Sequence, residues 1–122
     1  MMIKSFLLVG LGGAIGSMLR YGTGLLVEFK SFPVATLFIN ITGSFLIGIV
    51  IAYSLKHNIF ENNWKLFLAT GVCGGFTTFS AFSLENLLLL QNGKYLLSAG
   101  YVIVSILLGI TATFIGFKII NG

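Results

Sequence analysis

An all-α membrane domain of four helices is the fold class this sequence predicts, and three observations carry the prediction. Of 122 residues, 57% are hydrophobic and only 8% charged, against roughly a quarter charged in ordinary soluble domains. The mean hydropathy is +1.04. Apolar runs at about 3–27, 34–55, 64–90 and 95–120 each reach the ~20 residues a helix needs to cross a ~30 Å hydrocarbon core. The connectors "EFKSFP", "KHNIFENN" and "QNGK" are short, polar and marked by Pro33, Asn62-Asn63 and Asn92-Gly93. The chain therefore reads as one up-and-down bundle over 1–122, with no extramembrane domain expected.

The first span begins behind Lys4, which gives it the look of a signal peptide. It continues through Arg20 and Tyr21 to Val27, too long for such a hydrophobic region. Within "GLGGAIGSMLRYGTG", Gly13, Gly16, Arg20 and Gly24 fall on one face, its glycines suited to close helix packing. A guanidinium at membrane depth is costly, so Arg20 needs a partner or a wet cavity and becomes a functional candidate. The second span repeats Thr36, Asn40, Ser44 and Gly48 every four residues, one polar or small stripe. Asn40 stands out, because an amide at mid-span is as demanding as the arginine.

The third span carries the densest polar chemistry, "GVCGGFTTFSAFSLE". Gly74 and Gly75 are poor mid-helix residues. With Thr77 and Thr78 following, they predict a broken third helix that frees backbone groups at membrane depth. Two such breaks facing each other across a dimer axis would turn carbonyl oxygens together, an arrangement suited to a small hard cation such as sodium. Phe79 and Phe82 share a face, as do Ser80 and Ser83, and Glu85 is the one carboxylate within a span. The fourth span repeats Ser98, Tyr101, Ser105, Gly109, Thr113 and Gly116 on one stripe.

Other chemistries lack their residues. Cys73 is alone, and a small buried apolar role suits it. His57 sits beside Lys56 without a second ligand at metal spacing. The net charge of +4 resides at helix ends, where membrane proteins keep it, which argues against nucleic acid. No nucleophile with a base, paired carboxylates or metal cluster suggests an enzyme. Across four spans, Lys4, Lys56, Lys65 and Lys118 fall on one side and Lys30 and Lys94 on the other, joined by Arg20 if it reaches out. So small a bias fixes orientation weakly, and both orientations are expected, which permits an antiparallel, dual-topology homodimer. The donor-rich candidates, Asn40, Thr78, Ser80, Tyr101, Ser105 and Arg20, with aromatic ring edges, favour a small anion over a cation. On chemistry alone they do not separate fluoride from chloride.

The segments "GGAIGSMLRY", "TLFINITGSFLIG" and "GVCGGFTTFSAFSLE" resemble the signature segments of the small bacterial fluoride channels, the Fluc or CrcB family, and the similarity covers all four spans. The resemblance implies a dual-topology homodimer in the bacterial cell membrane. It would let fluoride run passively out of the cell through two pores, around a structural sodium ion that is not transported. It implies Asn40 as the pore asparagine, and Phe79 and Phe82 as aromatic edges. Ser80, Thr78, Tyr101, Ser105 and Glu85 would form the polar path, Gly74 and Thr77 would give backbone oxygens to sodium, and Arg20 would match the first-helix arginine. The alternative is a proton-coupled small multidrug exporter, whose chemistry needs a carboxylate midway along the first helix. None occurs there before Glu28. A subunit that merely packs with larger membrane partners would explain the glycines and leave the donors idle.

Overall fold

The computed structural model describes residues 2–26, 33–56 and 62–121. Val27, Glu28, Lys30, His57 and most of the first two connectors lie outside the described residues. The elements in chain order are α1 (Met2–Leu26), α2 (Val34–Lys56), α3 (Asn62–Lys65), a π-helical stretch Leu66–Cys73, α4 (Gly74–Phe76), α5 (Phe79–Gln91) and α6 (Tyr95–Asn121). Among the described residues, four helical stretches are long and apolar enough to cross a membrane, the third of them covering Asn63–Gln91. This is a multi-pass membrane protein.

The packing is inverted relative to a soluble bundle. Most large apolar side chains point outward, Leu26 at 88% and Leu96 at 90% exposure being the extremes, as lipid tails offer Leu a solvent no worse than a protein core. Small or polar residues sit inside instead: Ala52, Ala69, Thr36, Ser54 and Ser98 are buried. Two helix pairs make the frame. One pairs α1 with the π stretch and α4, the other α2 with α6, and α2 also reaches the π stretch to join them.

Glycines set how closely each pair approaches. In the first pair Gly12 and Gly16, one turn apart, face Gly71 and Gly75. A Cβ on Gly12 would stand 2.5 Å from the Phe67 carbonyl oxygen, and one on Gly75 would stand 2.5 Å from that of Gly13. Both distances are impossible, so backbone meets backbone, as in small-xxx-small contacts. The second pair repeats the device with Gly48 against Thr113 and Gly116 against Phe45. Of the face expected on the first span, Gly16 packs in this way and Gly13 offers its main chain to Gly75, whereas a Cβ added at Gly13 or Gly24 would meet nothing within 4 Å.

The C-terminal ends of α5 and α6 are closed by named groups, the first of them at the turn that leads into α6. At its start, Asn92 and Gly93 turn the chain out of α5. Gly93 has φ 75°, and its amide and that of Lys94 return to the Leu90 and Leu89 carbonyls at 3.1 and 2.9 Å. This is the Schellman closure, in which glycine accepts left-handed angles cheaply. At its end the Lys56 ammonium donates to the Ile120 carbonyl at 3.0 Å, which places cation and orphan acceptor together. Tyr53 and Trp64 meet edge to face at 5.8 Å near the same end.

Because Gly16 and Gly75 lie against backbone, Gly16→Val and Gly75→Val should each cost at least the ~1 to 3 kcal/mol typical of overpacked cores. Gly22→Val, where no atom lies within 4 Å of the added carbon, should be tolerated. Thermal unfolding in detergent, followed by gel filtration, measures all three; equal midpoints would mean the helices do not approach this way.

Candidate functional site

Helical angles stop at two threonines. Thr77 has φ −82° and ψ 157°, Thr78 has φ −153° and ψ 126°, and helix resumes at Phe79. Extended angles suit these β-branched residues. The glycines do not supply the irregularity: Gly74 is helical at φ −63° and ψ −39°, and Gly75 lies within α4. The expectation that this glycine pair makes the irregular backbone is thus corrected. Gly75 is small because Gly13 lies against it, and the threonines leave the helix.

Extended backbone at membrane depth must find partners elsewhere, and the amide and carbonyl of Thr78 and the amide of Thr77 do. The Thr78 amide donates to Asn40 Oδ1 at 2.9 Å, and Asn40 Nδ2 donates back to the Thr78 carbonyl at 3.2 Å. One amide side chain thereby pairs both polar groups of a residue, as a neighbouring strand would. The Thr77 hydroxyl and amide both donate to the Cys73 carbonyl, at 2.9 and 3.0 Å. The Thr78 hydroxyl accepts from the Ala81 amide at 3.2 Å, capping α5, and lies 3.1 Å from the Ser80 hydroxyl. Arg20 Nε donates to the Gly75 carbonyl at 3.4 Å, so its partner is the end of α4.

A second polar cluster lies between α2, α5 and α6. Glu85 accepts from the Thr36 hydroxyl at 2.6 Å and from the Tyr101 hydroxyl at 2.8 Å, one on each carboxylate oxygen. Thr36 and Tyr101 are buried, the latter 1% exposed, and Glu85 is half-buried. One residue further, Asn86 Nδ2 donates to the Phe82 carbonyl at 2.9 Å, and its Oδ1 accepts from the Ser98 hydroxyl at 2.8 Å. The aromatic rings form a chain: Phe79 to Phe82 at 5.7 Å and Phe82 to Tyr101 at 4.9 Å, both tilted.

A cleft of about 400 Å³ brings most of the candidates together. Asn40, Gly74, Thr77, Thr78, Phe79, Phe82 and Ser105 line it. Four candidates fall outside its lining. Ser80 stands beside it through Thr78, Tyr101 and Glu85 lie behind Phe82, and Arg20 bonds on the α1 side. Phe79 is 76% exposed, and Gly74 and Ser80 are exposed on the single chain.

Sequence reasoning missed Asn86 and Ser44 as working residues. Asn86 could have been found from its place one turn after Phe82 and opposite the Ser98 stripe. Ser44 was part of a stripe, but its carbonyl, which accepts from the Thr113 hydroxyl at 2.9 Å, leaves no trace in residue type.

The comparisons with known proteins agree with one another. The family model described as CrcB-like protein, Camphor Resistance (CrcB), matches residues 7–117. A protein of Thermus thermophilus named "Fluoride-specific ion channel FluC" is 47% identical over 120 residues, covering 96% of this chain and 95% of its own length. Proteins of the same name from Azobacteroides pseudotrichonymphae and Leptospira interrogans are 45% and 46% identical, covering 95% and 97% of this chain and 95% of their own lengths.

Because Asn40 carries backbone bonds, Asn40→Ala should unsettle the fold as well as the cleft. Two orphaned backbone groups cost about 1 to 3 kcal/mol each. Asn40→Asp, which keeps the acceptor for the Thr78 amide, should fall between. Unfolding midpoints in detergent order the three proteins; an alanine variant as stable as the parent would refute the pairing.

Proposed function

Since this chain belongs to the CrcB-like, camphor-resistance family, as the family model over 7–117 and relatives at 45 to 47% identity establish, we propose that it is a fluoride-specific channel. On this reading it lets fluoride leave the cell passively and so lowers the cytoplasmic load of a toxic anion. The observation that carries the reading beyond the relatives' names is the lining of the cleft. Hydroxyls and an amide gather around irregular backbone, with phenylalanine rings beside them. Fluoride is small and strongly hydrated, so a path for it needs closely spaced donors to replace water. Hydroxyls of Thr78, Ser80 and Ser105 and the amide of Asn40 supply donors, and the rims of Phe79 and Phe82 add the positive edges of aromatic quadrupoles. The Tyr101 hydroxyl lies next along the ring chain. Glu85, with a hydroxyl on each oxygen, orients both donors. Arg20 adds a positive potential at the end of α4.

Two copies complete the picture. Phe79, Gly74 and Ser80 are exposed on a face that is polar at membrane depth, and lipid is a poor cover for such a face. A second copy in the opposite orientation suits it, related by a two-fold axis in the membrane plane. The extended threonines are then the break of the third span, and two breaks face each other. The donors fit a structural sodium ion there. The Thr78 amide, which would close on the Gly74 carbonyl in a continuous helix, donates to Asn40 instead. The Ala81 amide, which would close on the Thr77 carbonyl, donates to the Thr78 hydroxyl. Gly74 and Thr77 would hold the ion through those oxygens, and hard oxygen donors match a hard cation. When bound, the ion supplies a fixed positive charge that holds like-signed carbonyl dipoles together. No observation favours a drug exporter: α1 carries no carboxylate, and Glu85 is held by Thr36 and Tyr101.

Fluoride efflux from liposomes, read with an ion electrode, tests the activity. Phe82→Ile keeps apolar bulk and removes the quadrupole, so efflux should fall at least ~10-fold, the equivalent of ~1.4 kcal/mol in a barrier, with an unchanged gel-filtration profile. Normal efflux in both Phe79→Ile and Phe82→Ile would take the rings out of the path. A tag on the C-terminus should be reached by an impermeant reagent from both sides of the membrane in a mixed population. Protection of every copy from one side would remove the antiparallel pair.

A further inference from the structure

Asn86 takes no part in the lining of the Asn40 cleft, yet both ends of its amide are engaged one turn away from a ring that does. It follows Phe82 by four residues, which makes the two neighbours on one face of α5. Its side chain leans back toward the start of the helix, as helical side chains do, and Nδ2 donates to the Phe82 carbonyl at 2.9 Å. In an α-helix that carbonyl already receives the Asn86 main-chain amide, so the added bond fills no orphan acceptor. Its effect is to fix the side chain and aim Oδ1 at α6. There Oδ1 accepts from the Ser98 hydroxyl at 2.8 Å. Ser98 is 6% exposed and Asn86 half-buried, so water competes little for the bond.

The position of α5 makes that bond matter. Among the described elements α5 rests chiefly on α6, and two adjacent residues of α5 bond to it. Glu85 accepts from Tyr101 at 2.8 Å, and Asn86 reaches Ser98, three residues earlier on α6. Adjacent residues point about 100° apart around a helix, so the two bonds pull in different directions. One alone would leave a pivot, and two fix the roll of the helix. The scale is that of an ion contact, since a roll of about 20° carries a group ~5 to 6 Å from the helix axis through about 2 Å. Phe82, whose ring stands 4.9 Å from that of Tyr101, would be carried with it.

From this arrangement we infer that Asn86 is a positioning residue for the ion path: clamped to Ser98, it sets the roll of α5 and so aims the Phe82 ring edge into the Asn40 cleft. It acts through Phe82. For its transport readout the inference rests on the channel reading. A hydrogen bond between membrane helices can also serve packing alone, and the two roles part in experiment.

Replacing Phe82 by para-fluorophenylalanine makes the ring report on its own surroundings, by fluorine NMR of the full-length protein in detergent and without any transport. Asn86→Leu, which keeps bulk and removes the amide, should shift or broaden that line, and Ser98→Ala should change it in the same way. The double variant should match either single, because both remove one bond. A line unchanged in both singles overturns the proposal, as does a double variant whose change is the sum of the two. In liposomes, fluoride efflux per folded protein should fall about three- to tenfold in Asn86→Leu and in Ser98→Ala, the range set by one lost hydrogen bond. In a Phe82→Ile background no aromatic edge remains to be aimed, so Asn86→Leu should lower efflux further by less than about twofold. An equal further loss there marks an amide that merely supports the fold, and overturns the positioning role. Normal efflux in both single variants of an active parent does the same. Absence of efflux from the parent itself counts against the channel reading alone, since the fluorine line is read without it.

Discussion

In a membrane, a peptide group that leaves the helix has no water to turn to, and everything distinctive about this molecule follows from how one such departure is satisfied. Thr78 is held by a single side chain, Asn40, which answers its amide and its carbonyl at 2.9 and 3.2 Å. That pair fixes α2 against the third span, and with it the floor of the cleft. It also releases carbonyls at the end of α4 from their usual partners, one of which, Gly75, Arg20 takes up. The threonine hydroxyls finish the accounting, one on Cys73 and the other as the cap of α5. An asparagine at that depth is costly unless both ends of its amide are engaged, and here both are.

The interior divides its labour between two kinds of surface. Where α1 meets the π stretch and α4, and where α2 meets α6, glycines let main chains touch. These contacts carry dispersion energy and almost no chemistry. Between α2, α5 and α6 the surface is polar, and each side chain there has a named partner: Thr36 and Tyr101 on Glu85, Ser98 on Asn86, Thr113 on Ser44. Among the described residues, no buried side-chain nitrogen or oxygen lacks a hydrogen bond. Polar side chains engaged in this way hold the three helices in one register.

Much of this was legible in residue type and spacing. The apolar runs place the four spans within a few residues of where the helices stand, and Asn92-Gly93 marks the turn before α6 correctly. The stripe of Ser98, Tyr101, Ser105, Gly109, Thr113 and Gly116 does face its neighbours, since small and polar residues recurring at a period near four mark the packed side of a membrane helix. The candidates of the cleft were legible because polar side chains at membrane depth must be accounted for. What was hidden lies in the backbone. Gly74 and Gly75 look like the irregular residues because glycine is a poor helix former, yet tertiary approach to Gly13 explains Gly75 and both stay helical. That Asn40 would spend its amide on a main chain could not be read from one residue. The wide coil at Leu66–Cys73 has no sequence signature, because "LFLATGVC" is as compatible with an ordinary helix.

That wide coil has a consequence for how the chain tolerates change in length. Each of its turns closes on the fifth residue rather than the fourth, as the Gly74 amide does on the Ala69 carbonyl, so the stretch stores surplus residues along a given height. The third span runs to 29 residues beside neighbours of 25, 23 and 27, and the surplus is taken up ahead of the threonines. Loss of one residue between Leu66 and Cys73 could be absorbed by rewinding to the ordinary α-helix, leaving Thr78 still opposite Asn40. The same loss between Phe79 and Glu85 has no such reserve, and would rotate Glu85 away from Thr36 and Tyr101. Insertions and deletions thus meet a forgiving half and an unforgiving half within one span, divided at the residues where helix gives way to extended chain.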